Sequence, residues 1–235
     1  MKTRRTRSLF VSAAWLFALT VRAQDLTVQS KFTMGNSESP MTQYISSEYG
    51  RSASAQGDTI VQFATGKMTT VDHKKKQYWE ATVEEMSAYW EKLTRDMRGT
   101  PLEAMFGVRD DPKLEKLAGK QKFAGYDCER YSLSIGDAVE VDLWAAPGLQ
   151  PPQRYYDSRK MSAAAMGPMG KLVQSVYEEM KKVKGFPLST AIIIRTPMSR
   201  TQTLEEAIEV KKGAIPASTF QVPDGYKKVK SPFVK

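Results

Sequence analysis

Apolar and polar residues alternate through most of residues 26–81, and this period of two predicts a meander of antiparallel β-strands. Side chains two positions apart point to the same face of a strand, so Leu26, Val28, Phe32 and Met34 mark one buried face. Clusters of turn-forming residues divide the stretch. The predicted strands are residues 26–34, 41–49, 59–65, 67–71 and 77–81.

The period changes to that of a helix after Thr82. Thr82 and Glu85 have the spacing of a capping box, in which each side chain satisfies a backbone N–H of the other residue. Apolar residues then recur three and four positions apart, which places them on one helix face before Gly99 ends the helix. These residues are Met86, Tyr89, Trp90, Leu93 and Met97. A second, short helix is predicted at residues 102–106.

The rest of the chain predicts a hairpin, a helical region and further strands. A strand at residues 121–135 turns at Gly136 and Asp137 into a partner strand at residues 139–145. A helical region follows, with Pro168 near a helix start and Gly185 at its end. Its apolar face carries Leu172, Val176, Met180 and Val183. Three more strands are predicted at residues 189–196, at residues 201–212 and around Phe220. This order of elements indicates one α+β domain.

The first 23 residues have the layout of a secretory signal peptide. A basic segment precedes an apolar run at residues 9–21, and Val21 and Ala23 suit a cleavage site. The run is 13 residues long, whereas a membrane-spanning helix needs about 20. We therefore expect cleavage near Ala23 and a periplasmic or secreted protein whose single domain is residues 24–235. The segment carries five basic and no acidic residues, so its removal lowers the net charge from +9 to +4.

No enzyme motif is complete in the sequence, so we expect a protein without catalytic residues, cofactor or metal. The single histidine, His73, lies in a lysine-rich hairpin and is expected to be a solvated turn residue. The single cysteine, Cys128, cannot form an internal disulfide and is expected to be buried. Adjacent acidic residues do not form a shared-proton dyad, because their side chains point in different directions. These pairs are residues 84–85, 110–111, 178–179 and 205–206.

The distribution of charge argues against a nucleic-acid partner, and the methionine content leaves an apolar partner open. The basic clusters at residues 74–76, 181–184 and 227–230 lack interleaved aromatic residues, so no nucleic-acid partner is expected. They allow a peripheral contact with an anionic membrane surface. Methionines concentrate in the helical segments, where they suit either an ordinary core or a surface that adapts to varied apolar partners.

Several segments together resemble an exported bacterial family of domains of unknown function, number 4412. The segments that carry the resemblance are residues 72–78, 125–131 with Trp144, 185–188, 215–220 and 222–226. The family is similar in layout to the LolA/LolB-like lipoprotein carriers. The resemblance implies a curved antiparallel sheet, an unclosed half-barrel, with helices packed on its concave face. It implies no catalytic residues.

Two functions remain open at this point. In the first, a lipid or a lipoprotein acyl chain binds between sheet and helices, with the residues of both predicted helix faces lining the site. These residues are Met86, Tyr89, Trp90, Leu93, Met97, Leu172, Val176 and Met180. In the second, the protein is a structural or interaction module of the envelope with a solid core. A continuous cavity of a few hundred Å3 would favour the first function. The sequence leaves the oligomeric state open.

Overall fold

The fold is described from a computed structural model, over residues 25–96, 111–152, 154–196 and 199–233. The strands are β1 Leu26–Met34, β2 Ser37–Ile45, β3 Tyr49–Ser54, β4 Gly57–Gln62, β5 Lys67–Asp72, β6 Gln77–Thr82, β7 Pro112–Phe123, β8 Tyr126–Ile135, β9 Val139–Ala146, β10 Phe186–Thr196, β11 Ser199–Lys212 and β12 Lys227–Lys228. The helices are α1 Val83–Asp96, α2 Tyr155–Ala163 and α3 Gly170–Met180. Short 3-10 helices occupy Ala164–Met169 and Ala217–Phe220.

The strands of the described ranges form one open sheet. Their order is β12-β6-β5-β4-β3-β2-β1-β11-β10-β9-β8-β7. Neighbouring strands are antiparallel, except that β12 runs parallel to β6. β1 pairs with β2 on one side and with β11 on the other, so the first strand lies inside the sheet beside a strand from the C-terminal part of the chain. The predicted class, an α+β half-barrel with helices on the concave face of an antiparallel sheet, is confirmed.

The capping box predicted at the start of α1 is present. The Oε2 atom of Glu85 accepts a hydrogen bond from the Thr82 amide at 2.8 Å. The Glu85 amide donates in return to the Thr82 hydroxyl at 3.2 Å. These bonds satisfy two backbone donors that the helix itself leaves unpaired. The box therefore fixes the point at which the meander changes into a helix.

Two hydrophobic clusters lie between the sheet and the helices. The larger cluster packs Leu172, Val176 and Met180 of α3 against β1, β8, β9 and β10. The smaller cluster packs Met86 of α1 and Ala164 against β4, β5 and β6. Full burial of a side chain of this size contributes about 1.5–3 kcal/mol relative to exposure. The helices therefore hold the two halves of the sheet through separate cores.

The single strand predicted at residues 121–135 is wrong, because this region belongs to two strands. β7 starts at Pro112 and pairs with β8, and the chain turns between them at Ala124 and Gly125, whose φ angles are 48° and 82°. β7 is the edge strand of the sheet, and most of its side chains are exposed. On such an edge strand, lysines stand where apolar residues would otherwise alternate with polar ones. The sequence therefore lacks the period-two pattern that predicts a strand.

The predicted helical region contains α2 as well as the helix expected near Pro168. The bounds of α2 were not predicted, because the polar run of Asp157, Ser158 and Arg159 hides its helical period. The chain then turns at Gly167, whose φ of 66° and ψ of −139° suit glycine alone. α3 begins at Gly170, and its apolar face carries Leu172, Val176 and Met180 as predicted. Val183, predicted on the same face, lies beyond the end of the helix at Met180.

Two smaller predictions are also corrected. The strand predicted at residues 41–49 is divided at Ser46, whose hydroxyl accepts from the Tyr49 amide at 2.9 Å and stabilises the turn from β2 to β3. Phe220 lies in a 3-10 helix, and the C-terminal strand is β12. The predicted signal peptide and the short helix at residues 102–106 lie outside the described residues.

Candidate ligand-binding cavity

A cavity of about 360 Å3 lies between the helices and the concave face of the sheet. Strands β1, β10 and β11 form its floor, and α3 forms most of its roof, together with Tyr155 and Arg159 of α2. Cavities that bind small molecules in proteins hold about 300–1,000 Å3 and are mostly apolar. The space between the layers is therefore large enough for a small apolar ligand.

Strand periodicity explains the floor of the cavity. Every second residue of β10 and of β11 faces inward, and the two strands pair so that Ile192 lies opposite Thr203 and Thr190 opposite Glu205. The floor residues on these strands are Leu188, Thr190, Ile192, Ile194, Thr201, Thr203, Glu205 and Ala207. The β10 side is mainly apolar, whereas the β11 side carries hydroxyls and one carboxylate.

Helical periodicity explains the roof. Leu172, Val176 and Met180 are spaced by four and face the sheet, and Val173 and Tyr177 lie one position further around the helix. The first three are buried, with 6–8% of each exposed. The same face of α3 therefore contributes to the core and to the cavity wall.

The cavity communicates with solvent. Met166, on the 3-10 helix between α2 and α3, lines it and is 52% exposed. Thr201 lines it from β11 and is also exposed, and Ile192 and Ile194 are only half-buried although they face inward. The exposed lining residues therefore leave part of the cavity open to solvent.

One end of the cavity carries a polar network. The Oε1 atom of Glu205 accepts from the Ser30 hydroxyl at 3.0 Å and from the side-chain amide of Gln43. The carbonyl oxygen of the same amide accepts from the Arg159 guanidinium at 2.5 Å. Nε of Arg159 donates to the Tyr155 hydroxyl at 3.2 Å. Gln43 therefore joins an acidic group and a basic group across the end of the cavity.

Burial and neighbouring groups together keep Tyr155 neutral and Arg159 charged. Burial raises the pKa of Tyr155, so the phenol stays neutral. Burial alone would lower the pKa of Arg159, but Tyr155, Tyr177 and Glu205 outweigh it and raise that pKa above its ordinary value. Arg159 therefore remains charged, and its ring contact with Tyr155, 5.4 Å from the guanidinium carbon to the ring centre, favours the cation further.

The structure divides the predicted ligand-binding residues between two places. Leu172, Val176 and Met180 line the cavity. Met86, Tyr89, Trp90 and Leu93 are on α1, away from the cavity walls; Met86 is fully buried in the smaller cluster, and Leu93 is 39% exposed. Met97 lies outside the described residues.

The aromatic residues of α1 form a cluster with the C-terminal segment. The rings of Tyr89, Trp90 and Trp79 each meet Phe233 edge-on, with centroids 5.4–6.1 Å apart. The Trp90 ring also covers Gly167, where an added Cβ would lie 3.1 Å from three ring atoms. These contacts connect α1 to the chain before α3, so Trp90 packs against protein rather than lining the cavity.

The sequence prediction missed the polar end of the cavity. Gln43 and Arg159 gave no motif, and Glu205 was considered only together with its neighbour Glu206. Residues in a strand alternate between faces, so Glu205 points into the cavity whereas Glu206 does not. An acidic residue among inward-facing positions of a predicted strand was the available signal.

His73 lies in the turn between β5 and β6, as predicted, but it belongs to a polar network and is not simply solvated. Its Nε2 lies 3.0 Å from Oδ1 of Asp58, and its Nδ1 lies 2.9 Å from the Tyr226 hydroxyl. Arg51 binds the other carboxylate oxygen of Asp58 and donates to the Thr219 carbonyl at 2.5 Å. The Asp58 side chain is 1% exposed. The network therefore fastens the C-terminal segment to β3 and β4.

Cys128 is buried in β8, as predicted, and 1% of it is exposed. Burial raises the pKa of its thiol, which disfavours the reactive thiolate. We expect a thiol-reactive disulfide reagent to modify the native protein slowly and the denatured protein at once. Absorbance of the released thiol measures this. Rapid stoichiometric labelling of the native protein would contradict the burial of Cys128.

In the described part of the chain, no group of three or more His, Cys, Asp or Glu residues could hold a metal ion. No helix among the described residues has the length and apolar character needed to cross a membrane.

The fold and the cavity define the class: an α+β protein with an open antiparallel sheet, whose helices cover an apolar space on the concave face. The chain belongs to the family described as Domain of unknown function (DUF4412), whose model matches residues 16–226. The family resemblance noted in the sequence is thereby confirmed.

Several solved structures are similar to this chain at low identity. An uncharacterized conserved protein from Thermus thermophilus matches with a TM-score of 0.48 and 8% identity, over 89% of this chain and 91% of that one. A putative outer membrane lipoprotein-sorting protein domain from Vibrio parahaemolyticus matches with a TM-score of 0.34 and 9% identity, over 86% and 91%. PNGF-II matches with a TM-score of 0.41 and 10% identity over 89% of this chain, which spans 31% of its length. No curated protein matches in sequence.

Proposed function

We propose that this protein is a non-enzymatic periplasmic binding protein that holds an apolar ligand in the cavity under α3. The ligand class is a lipid or the acyl chain of a lipoprotein. The observation that carries the proposal is an apolar cavity of about 360 Å3 whose lining residue Met166 is 52% exposed. The proposed location rests on the signal-peptide pattern of residues 1–23.

The energetics of the cavity support an aliphatic ligand. Transfer of an acyl chain from water into apolar surroundings contributes about 0.8 kcal/mol per buried methylene group. An empty apolar cavity is unfavourable, because its lining atoms lose packing contacts on one side. Ile192 and Ile194, left half-buried by the helices, would be covered by such a ligand.

The proposed site combines both layers of the fold. Leu172, Val176 and Met180 provide the roof on α3, and Ile192 provides the centre of the floor on β10. Methionine adapts its shape readily, so Met166 and Met180 suit acyl chains of different length. The alternative, an interaction module with a solid interior, would leave this space without a ligand.

Replacement of Ile192 by tryptophan is expected to weaken the binding of an apolar fluorescent dye in the cavity by at least about tenfold. This corresponds to a loss of roughly 1.4 kcal/mol in binding free energy. The indole ring would occupy the space that the ligand fills, because Ile192 is half-buried and faces the cavity. N-phenylnaphthylamine, an uncharged dye that fluoresces in apolar surroundings, measures the affinity by titration.

Ile193→Trp is the matched control. Ile193 is adjacent on β10 and also half-buried, but its side chain points to the opposite face of the sheet. This variant should bind the dye as the unmodified protein does, and both variants should unfold at similar urea concentrations. Native mass spectrometry of protein purified from its host should also detect a bound lipid. Absence of dye uptake and of co-purified lipid would favour the interaction module.

A further inference from the structure

We infer that the ligand of the cavity is an amphiphile with an uncharged, hydroxyl-bearing head, which binds at the end formed by Arg159, Gln43 and Glu205. This inference rests on the proposed function, because it names the head group of the ligand whose apolar part lies under α3. It concerns residues of α2, β2 and β11 that the apolar part does not require.

The two charges at this end balance without a direct ion pair. Gln43 receives a hydrogen bond from Arg159 at 2.5 Å and donates through its amide nitrogen to Glu205. The amide dipole therefore lies between the guanidinium and the carboxylate. All three side chains line the cavity, so both charges act on a ligand placed there.

This arrangement selects against a charged head. A carboxylate or phosphate that approaches Arg159 also approaches Glu205, and the repulsion in a partly buried site is strong. A cationic head at Glu205 meets the corresponding repulsion from Arg159. A hydroxyl group donates and accepts at once, so it can bind the guanidinium and the carboxylate together.

A hydroxyl-lined groove continues beyond the polar end. Gln43, Tyr155 and Arg159 also border a small cavity of about 30 Å3, whose lining includes Ser52 and Thr59 together with Arg51, which is paired with Asp58. Ser52 and Thr59 belong to a groove of about 400 Å3 across β3, β4 and β5. The hydroxyl-bearing residues of the groove are Ser52, Ser54, Thr59 and Thr70.

The groove also suits an uncharged head. None of its described lining residues is a lysine or an arginine that would bind a phosphate. Its carboxylates are already paired, Asp58 with Arg51 and His73 and Asp72 with Lys75. Its hydroxyl groups can bind a glycerol or sugar group through hydrogen bonds. The order of these sites matches the order of groups in a hydroxyl-bearing lipid. The acyl chain would lie in the apolar cavity, and the head group would lie at the mixed polar end and in the hydroxyl-lined groove.

Two ligands with the same acyl chain test this inference. Monoolein carries an uncharged glycerol head, and oleic acid is ionised near neutral pH. Each displaces N-phenylnaphthylamine from the full mature protein in a competition titration, below the concentration at which the lipid aggregates. We expect monoolein to bind at least about tenfold more tightly than oleic acid.

Glu205→Gln is the diagnostic variant, and Glu206→Gln is its matched control on the other face of β11. Loss of the Glu205 charge removes the repulsion and leaves Arg159 to attract the fatty acid, so oleic acid should bind about tenfold more tightly than before. If Glu205 has a purely structural role, Glu205→Gln should weaken the binding of both monoolein and oleic acid. Glu206→Gln should leave both affinities unchanged, because Glu206 acts near Lys31.

Thr59→Val provides a second variant if Glu205→Gln does not fold. It keeps the shape of the side chain, and it should weaken monoolein several-fold without affecting oleic acid. Equal or tighter binding of oleic acid by the unmodified protein would overturn the inference and leave the proposed function intact. Failure of the unmodified protein to take up the dye would overturn the proposed function itself.

Discussion

Replacement of Gly185 by alanine is expected to destabilise the protein by more than about 4 kcal/mol, which is exceptional for one methyl group. Gly185 connects the region after α3 to β10 and has a φ of 95°. An added Cβ would lie 2.0 Å from the carbonyl oxygen of Ala146 and 2.7 Å from Cα of Pro147. Both are backbone atoms at the end of β9, so they cannot rotate away without disturbing the pairing of β9 with β10.

Two other glycines separate the contributions to this loss. Gly125 has a φ of 82° but nothing within 4 Å of an added Cβ, so Gly125→Ala should cost only about 1–2 kcal/mol of backbone strain. Gly148 has neither a left-handed φ nor a close neighbour, and Gly148→Ala should change stability by no more than about 0.5 kcal/mol. Urea unfolding of the three variants measures the series. Equal losses for Gly185→Ala and Gly125→Ala would disprove the backbone clash.

Replacement of Asp58 by alanine is expected to cost about 3–5 kcal/mol, because it leaves a buried cation without its partner. Asp58 binds both Arg51 and His73, and its side chain is 1% exposed. Arg51 also donates to Thr219, and His73 contacts Tyr226. Loss of the carboxylate should therefore loosen the C-terminal segment as well as the sheet.

Urea unfolding and limited proteolysis measure the two effects. In Asp58→Ala, cleavage within residues 217–226 should become faster under conditions in which the unmodified protein resists it. Asp127→Ala is the control, since Asp127 is 78% exposed and its nearest lysine nitrogen is 3.7 Å away. Exposed pairs of this kind contribute about 0–1 kcal/mol. Similar unfolding of the two variants would show that the Asp58 network is not essential to the fold.

The sequence predicted elements whose pattern reflects burial on one face. Leu26 and Val28 alternate with polar residues because one face of β1 meets the core, and the capping box at Thr82 marks its helix by local hydrogen bonds alone. β7 was not predicted as a separate strand, and α2 was predicted only as part of a helical region without bounds, because exposed lysines on the first and a polar run on the second remove the periodic signal. Period and caps thus identify elements that have one clearly apolar face.

The candidate site was only partly predictable for a related reason. Leu172, Val176 and Met180 line the cavity because their helical face also builds the core. The floor residue Glu205 and its partner Gln43 come from strands separated by 162 positions in the chain, and only the strand order brings them together. A predicted apolar face of α1 gives no indication of which of two cores it will join. Pairing across the sheet decides which strand residues meet and which core α1 joins. The periodicity of the sequence alone does not determine that pairing.

The central position of β1 has a consequence for how the chain acquires its structure. Ser30 of β1 and Glu205 of β11 are in contact although 175 residues separate them. Contacts between distant parts of a chain form slowly, because a long loop must close before they stabilise anything. Until β11 emerges, one edge of β1 has no partner, and an unpaired edge can bind other chains. A polypeptide that emerges N-terminus first from a ribosome or a secretion channel would therefore depend on protection of that edge until β11 is released.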